Sequence, residues 1–125
     1  MAKTILLIDD SATIRYLLKV YLMGTGMQLL EAEDGQKGLA VLRGSSVDLV
    51  IADVQMPVMD GLAFMKELRA AAEATLRAIP VVLLTMQQGF VERQQGLEAG
   101  ANAYLTKPVS SDELKNTVLR LLAAA

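Results

Sequence analysis

Three carboxylates, one hydroxyl and one ammonium in this 125-residue sequence come just after short apolar runs. Asp9 and Asp10 follow Thr4 to Ile8, and Asp53 follows Leu49 to Ala52. Thr85 follows Pro80 to Leu84, and Lys107 lies two places beyond Ala103 to Leu105. Runs of that length read as strands, and ligands of an open α/β sheet bind outside the carboxyl ends of the strands. Such a sheet would bring all five residues to one edge. Carboxylates converging there without a cation would repel one another, and their burial would be costly. A hard divalent cation relieves both costs, and an all-oxygen site suits Mg²⁺. A metal and a lysine beside one carboxylate are what phosphoryl transfer onto it requires. Both neutralise the equatorial oxygens of the transferring group while the carboxylate attacks in line. Thr85 would then donate a hydrogen bond to the acyl phosphate.

Composition leaves few other routes to chemistry. There is no cysteine, which excludes disulfides, thiolate metal sites and thiol nucleophiles. There is no histidine either, which removes imidazole bases and every serine–histidine triad. A net charge of −2 with no basic stripe gives no reason to expect direct nucleic-acid binding. No apolar stretch approaches the roughly 20 residues of a membrane span, and the first run is too short for a signal peptide. The expectation is a single cytoplasmic domain over residues 1–125. A hydrophobic content of 53% supplies a core without staples.

The elements that must position the site alternate along the chain. Short apolar runs, with Met27 to Leu30 as the second of five, are separated by segments of helical period. Several runs are apolar at every position, as strands covered on both faces are. Ile14, Leu17, Leu18, Tyr21 and Leu22 mark one helix face with Gly24 as its stop, and Leu62, Met65 and Leu68 mark another with Asp60 as N-cap. Ser110 and Glu113 form a capping-box pattern at the last helix, with Val109 and Leu114 as its staple. The alanines at 70–72 and 123–125 read as prolonging helices. Five successive β-then-α units imply a doubly wound parallel sheet with helices on both faces. Periodicity alone does not give the strand order.

Four stretches resemble the receiver domains of two-component response regulators. They are Ile8-Asp9-Asp10-Ser11, residues 53–61 reading Asp-Val-Gln-Met-Pro-Val-Met-Asp-Gly, Pro80 to Thr85, and residues 100–108 reading Gly-Ala-Asn-Ala-Tyr-Leu-Thr-Lys-Pro. The resemblance runs along nearly the whole chain. It implies a flavodoxin-like sheet of order 2-1-3-4-5 and a phospho-acceptor switch that catalyses only its own phosphorylation and dephosphorylation. It implies that Asp53 accepts the phosphoryl group of a histidine kinase or phosphotransfer protein. Mg²⁺ is then held by Asp10, Asp53 and the Gln55 carbonyl, with Asp9 acting through water. Lys107 and Thr85 would contact the phosphoryl group. Tyr104 would change rotamer with Thr85 and expose a surface on the fourth and fifth helices to a downstream target protein. The Lys107–Pro108 bond is expected to be cis.

Some features depart from the family or leave choices open. Met86 stands where these domains usually carry a small residue, and its thioether would narrow access to Asp53. Gln55 and Gln87 would flank the phosphoryl group and bear on its lifetime. Gly89 and Gly96 either weaken the fourth helix for switching or serve close packing. An aspartyl-phosphate phosphatase uses the same carboxylate chemistry, but Gln55 occupies the place of its general acid. A flavodoxin-like carrier shares the fold, but the acidic pair after the first strand would repel its phosphate. A chain ending after its fifth helix fits a stand-alone regulator, as in chemotaxis or a phosphorelay, and equally a receiver fragment of a longer DNA-binding regulator.

Overall fold

Each apolar run forms a strand, and the polar residue directly after four of them (Glu31, Asp53, Thr85 and Thr106) is drawn into the sheet. The computed structural model describes residues 2–85 and 90–124. Its strands are β1 (Thr4–Ile8), β2 (Gln28–Ala32), β3 (Leu49–Asp53), β4 (Val81–Thr85) and β5 (Ala103–Thr106). They form one parallel sheet in the order β2-β1-β3-β4-β5, as the family resemblance implied. Asp53 and Thr85 are the last residues of β3 and β4, with Asp53 in register with Leu84 and Thr85 with Thr106. Ladder pairing therefore fixes the backbones that carry them.

The helices are α1 (Ala12–Tyr21), α2 (Gly35–Gly44), α3 (Gly61–Arg69), α4 (Ala74–Arg77), α5 (Phe90–Glu98) and α6 (Ser111–Ala124). Alternate side chains of the strands sort into two apolar layers. Leu6, Ile8, Val50, Ala52, Val81 and Leu83 pack with Leu39 and Leu42 of α2 and Phe64, Met65 and Leu68 of α3. Ile5, Leu7, Leu49, Ile51, Val82 and Leu84 pack with Leu18 of α1 and Leu114 and Val118 of α6. β1, β3 and β4 are buried on both faces, which accounts for their unbroken apolar runs.

The expected caps are present. Asp60 accepts from the Ala63 N–H at 2.8 Å, and Ser110 Oγ accepts from the Glu113 N–H at 3.0 Å. Val109 and Leu114 lie in the same buried layer. α1 stops at Tyr21, and Gly24 follows at φ +83, where a side chain would strain. Leu17 departs from the expected buried face and is 40% exposed.

Two expectations need correction. Ala70 to Ala72 do not prolong α3, which caps at Ala70. The break leaves the Ala71 and Ala72 carbonyls outside a helical ladder, and the Arg77 guanidinium satisfies them, donating at 3.1 and 2.8 Å. The break also creates the single-turn α4, so the third connection holds two helices rather than one. The helices numbered fourth and fifth in the sequence are therefore α5 and α6.

Candidate functional site

The carboxyl edge of the sheet gathers the acids. One carboxylate oxygen from each of Asp9, Asp10 and Asp53 lies within 4.8 Å of the others. Asp9 and Asp53 are buried and Asp10 is exposed, so the cluster opens to solvent on Asp10's side. The Lys107 ammonium bridges the buried pair, 3.3 Å from Asp9 Oδ2 and 3.3 Å from Asp53 Oδ2. Its main-chain N–H donates to the Thr85 carbonyl at 2.7 Å, which ties the end of β5 to that of β4. The Lys107–Pro108 bond is cis, as expected.

The local chain explains why neither aspartate after β1 is consumed as the cap of α1. Either aspartate after β1 could in principle cap α1. The cap is instead Ser11, whose hydroxyl accepts from the Ile14 N–H at 3.2 Å. Asp9 Oδ1 accepts from the Ser11 N–H at 2.9 Å, and Asp53 Oδ1 accepts from the Gln55 N–H at 3.2 Å. Burial pushes the Asp9 carboxyl above the usual range, partly offset by the Ser11 N–H and by Lys107, while the Asp53 charge raises it further. An ionised Asp9 in this place is an electrostatic debt, and it is the kind a bound cation settles.

Thr85 is fully buried at the end of β4 on the same edge. Gln55 is exposed in the loop after β3. Tyr104 does not join the cluster. It lies deeper, opposite Leu83, with its ring buried and its hydroxyl without a hydrogen-bond partner among the described residues. Met86, Gln87 and Gly89 lie outside the described residues.

Two contributors were missed in the sequence. A Cβ on Gly61 would come 2.7 Å from the Asp53 carbonyl oxygen and 2.8 Å from Val54 Cα, so the glycine lets α3 start directly against the end of β3. Its signal was the Asp60-Gly61 pair, where Asp60 was read as a cap and Gly61 only as the end of the stretch that carries the family resemblance. The second is Arg15, whose guanidinium donates to the Asp9 main-chain oxygen. A basic residue one turn into the helix after an acidic pair was its only signal.

Comparison with known proteins decides between the chemistries this edge allows. The family model described as "Response regulator receiver domain" matches residues 5–119. The chain belongs to the response-regulator receiver family. Receiver domains are signalling switches of two-component systems, working with histidine kinases and downstream effectors. That membership replaces the phosphatase and flavin-carrier readings. Among curated relatives, this receiver is 38% identical over 119 residues to protein PilH of Pseudomonas aeruginosa, covering 95% of this chain and 97% of PilH. It spans about half the length of several transcriptional regulators that it also matches. Among solved structures it resembles a response regulator from Chloroflexus aurantiacus, with TM-score 0.91, 32% identity and coverage of 98% and 99% of the two chains. It also resembles the receiver domain of the sensor histidine kinase PA1611 of P. aeruginosa, described with a magnesium ion in its active-site cleft. There the TM-score is 0.88 and the identity 27%, over 98% of this chain and 99% of that one. Among the described residues, no helix is long and apolar enough to cross a membrane.

Proposed function

We propose that the chain is a Mg²⁺-dependent phospho-acceptor switch in which Asp53 receives a phosphoryl group from a histidine kinase or phosphotransfer protein. The observation that carries this reading is the placement of Lys107, 3.3 Å from both buried acids of a three-carboxylate cluster. One ammonium cannot balance three carboxylates, and the shortfall fits a divalent cation held by Asp10, Asp53 and the Gln55 carbonyl, with Asp9 behind a water. The metal would supply charge neutralisation for the phosphoryl oxygens. The magnesium described in the cleft of the PA1611 receiver supports this choice of ion.

The chain's own residues do the rest. An Asp53 carboxylate oxygen attacks phosphorus in line, the P–N bond of the donor phosphohistidine breaks, and the leaving imidazole takes the electron pair. Lys107 turns from a carboxylate to the phosphoryl oxygens, and the Thr85 hydroxyl donates to one of them. Tyr104, beside α5 on an edge strand, carries the change to the α5–β5–α6 surface that a target protein reads.

The test is intact-mass spectrometry after incubation with a phosphohistidine donor. Wild type should gain one phosphoryl group with Mg²⁺ and none with EDTA, and Asp53→Asn should gain none in either. Phosphorylation of Asp53→Asn at the wild-type level would refute the assignment of the acceptor.

A further inference from the structure

Arg15 on α1 joins three elements through one guanidinium. Its Nη1 donates to the Asp9 main-chain oxygen at 2.5 Å, and its Nε is held 2.9 Å from Oε1 of Glu31 on β2. The other oxygen of Glu31 accepts from Lys19 at 3.0 Å. The Arg15 side chain is only 16% exposed, so this fork is built into the packing between α1 and the sheet edge.

The Asp9 carbonyl belongs to the peptide group that links Asp9 to Asp10. Holding that oxygen holds the plane from which both acidic side chains spring. Asp9 has other restraints, since Ser11 and Lys107 grip its carboxylate. Asp10 does not. It is exposed, and among the described residues no hydrogen bond or ion pair to its carboxylate restrains it. The direction of Asp10 therefore rests on its backbone.

We infer that Arg15, itself held by Glu31, is a positioning residue that aims Asp10 at Asp53 for cation binding. This rests on the reading of the cluster as a Mg²⁺ site. Electrostatics alone argues the other way, because a guanidinium beside an acidic pocket repels a cation and its removal should tighten binding. Positioning gives the opposite sign, since outer residues that orient ligands typically contribute roughly 10–100-fold in metal affinity.

Mg²⁺ is titrated into the full chain while the amide resonances of Asp10 and Asp53 are followed by NMR, for wild type, Arg15→Gln and Arg15→Lys. Melting in EDTA identifies which variants are folded. Both variants should bind about 10-fold more weakly than wild type. The lysine should not rescue, because it keeps the charge but not the fork, and the metal-free Asp10 amide should shift in both. Unchanged or tighter binding by a folded variant, with wild-type binding intact, overturns the inference alone. A wild type that binds no Mg²⁺ overturns the reading of the site and this inference with it.

Discussion

Asp9 is the residue at which function and stability oppose each other most directly. Its carboxyl is buried and its proton is held more tightly in the folded chain than in the unfolded one. Such a group favours folding below the ordinary carboxylate value, and that contribution is lost as the pH rises through the raised folded value. At neutral pH the ionised Asp9 therefore weighs against the fold whenever no cation is bound. Asp9→Asn should melt at a higher temperature than wild type in EDTA at neutral pH, because an amide still accepts from Ser11 but carries no charge. Its advantage should shrink as the pH falls toward 3.8, the unperturbed aspartate value. A variant less stable than wild type at neutral pH would mean that the Lys107 pair outweighs the burial.

Among the elements, α5 shows best what a sequence conveys and what it withholds. The strands were legible because most of their runs are apolar throughout, and two caps because Asp60 and Ser110 stand immediately before helical segments, whereas Ser11 stood behind two aspartates that could equally have capped α1. The acids, Thr85 and Lys107 were legible because strand ends and site coincide in this architecture. Gly96 was not, since a glycine within a helix reads equally as weakness or as fit. The structure decides for fit: a Cβ there would meet the Tyr104 ring at 2.7 and 2.9 Å and Leu83 at 3.3 Å. Likewise the break before α4 was hidden, because alanines favour a helix and the carbonyls the break leaves open are met by Arg77, several residues on. Gly96→Ala should gain about 1 kcal/mol in helix propensity and lose about 1–3 kcal/mol to overpacking, so crowding prevails. The expected outcome is a lower melting temperature and loss of the nuclear Overhauser contacts between the Tyr104 ring and the Leu83 methyls. A more stable variant with the ring unmoved would show that the seat has room to spare.

Across the whole molecule, the two ends of the sheet are held by different means. At the carboxyl ends, Lys107, just beyond β5, pairs with Asp9 after β1 and with Asp53 at the end of β3. At the amino ends, Arg69 donates to the carbonyls of Arg77 (2.9 Å), Ile79 (2.7 Å) and Gly100 (3.2 and 2.8 Å) and to Asn102 Oδ1 (3.0 Å). It thereby fastens the approaches to β4 and β5, and burial lowers its pKa from the usual arginine value. Arg69→Met should cost about 2 kcal/mol in unfolding free energy, measured by urea titration, because several carbonyls lose a charged donor. Its Mg²⁺ affinity should match wild type, and a large change in affinity would mean that the two ends are coupled. The strand order also has a consequence for the newborn chain. β1 and β3 are neighbours in the sheet, yet α1, β2 and α2 must be synthesised between them, and Lys107 follows the last strand. Parallel pairing of such distant segments is slow, because loop closure precedes the contacts that reward it. On the ribosome, all three acids emerge well before the lysine that answers two of them. A nascent receiver halted at β5 carries the three clustered acids without Lys107, and translation just past the final strand is the step that turns a repulsive cluster into a site.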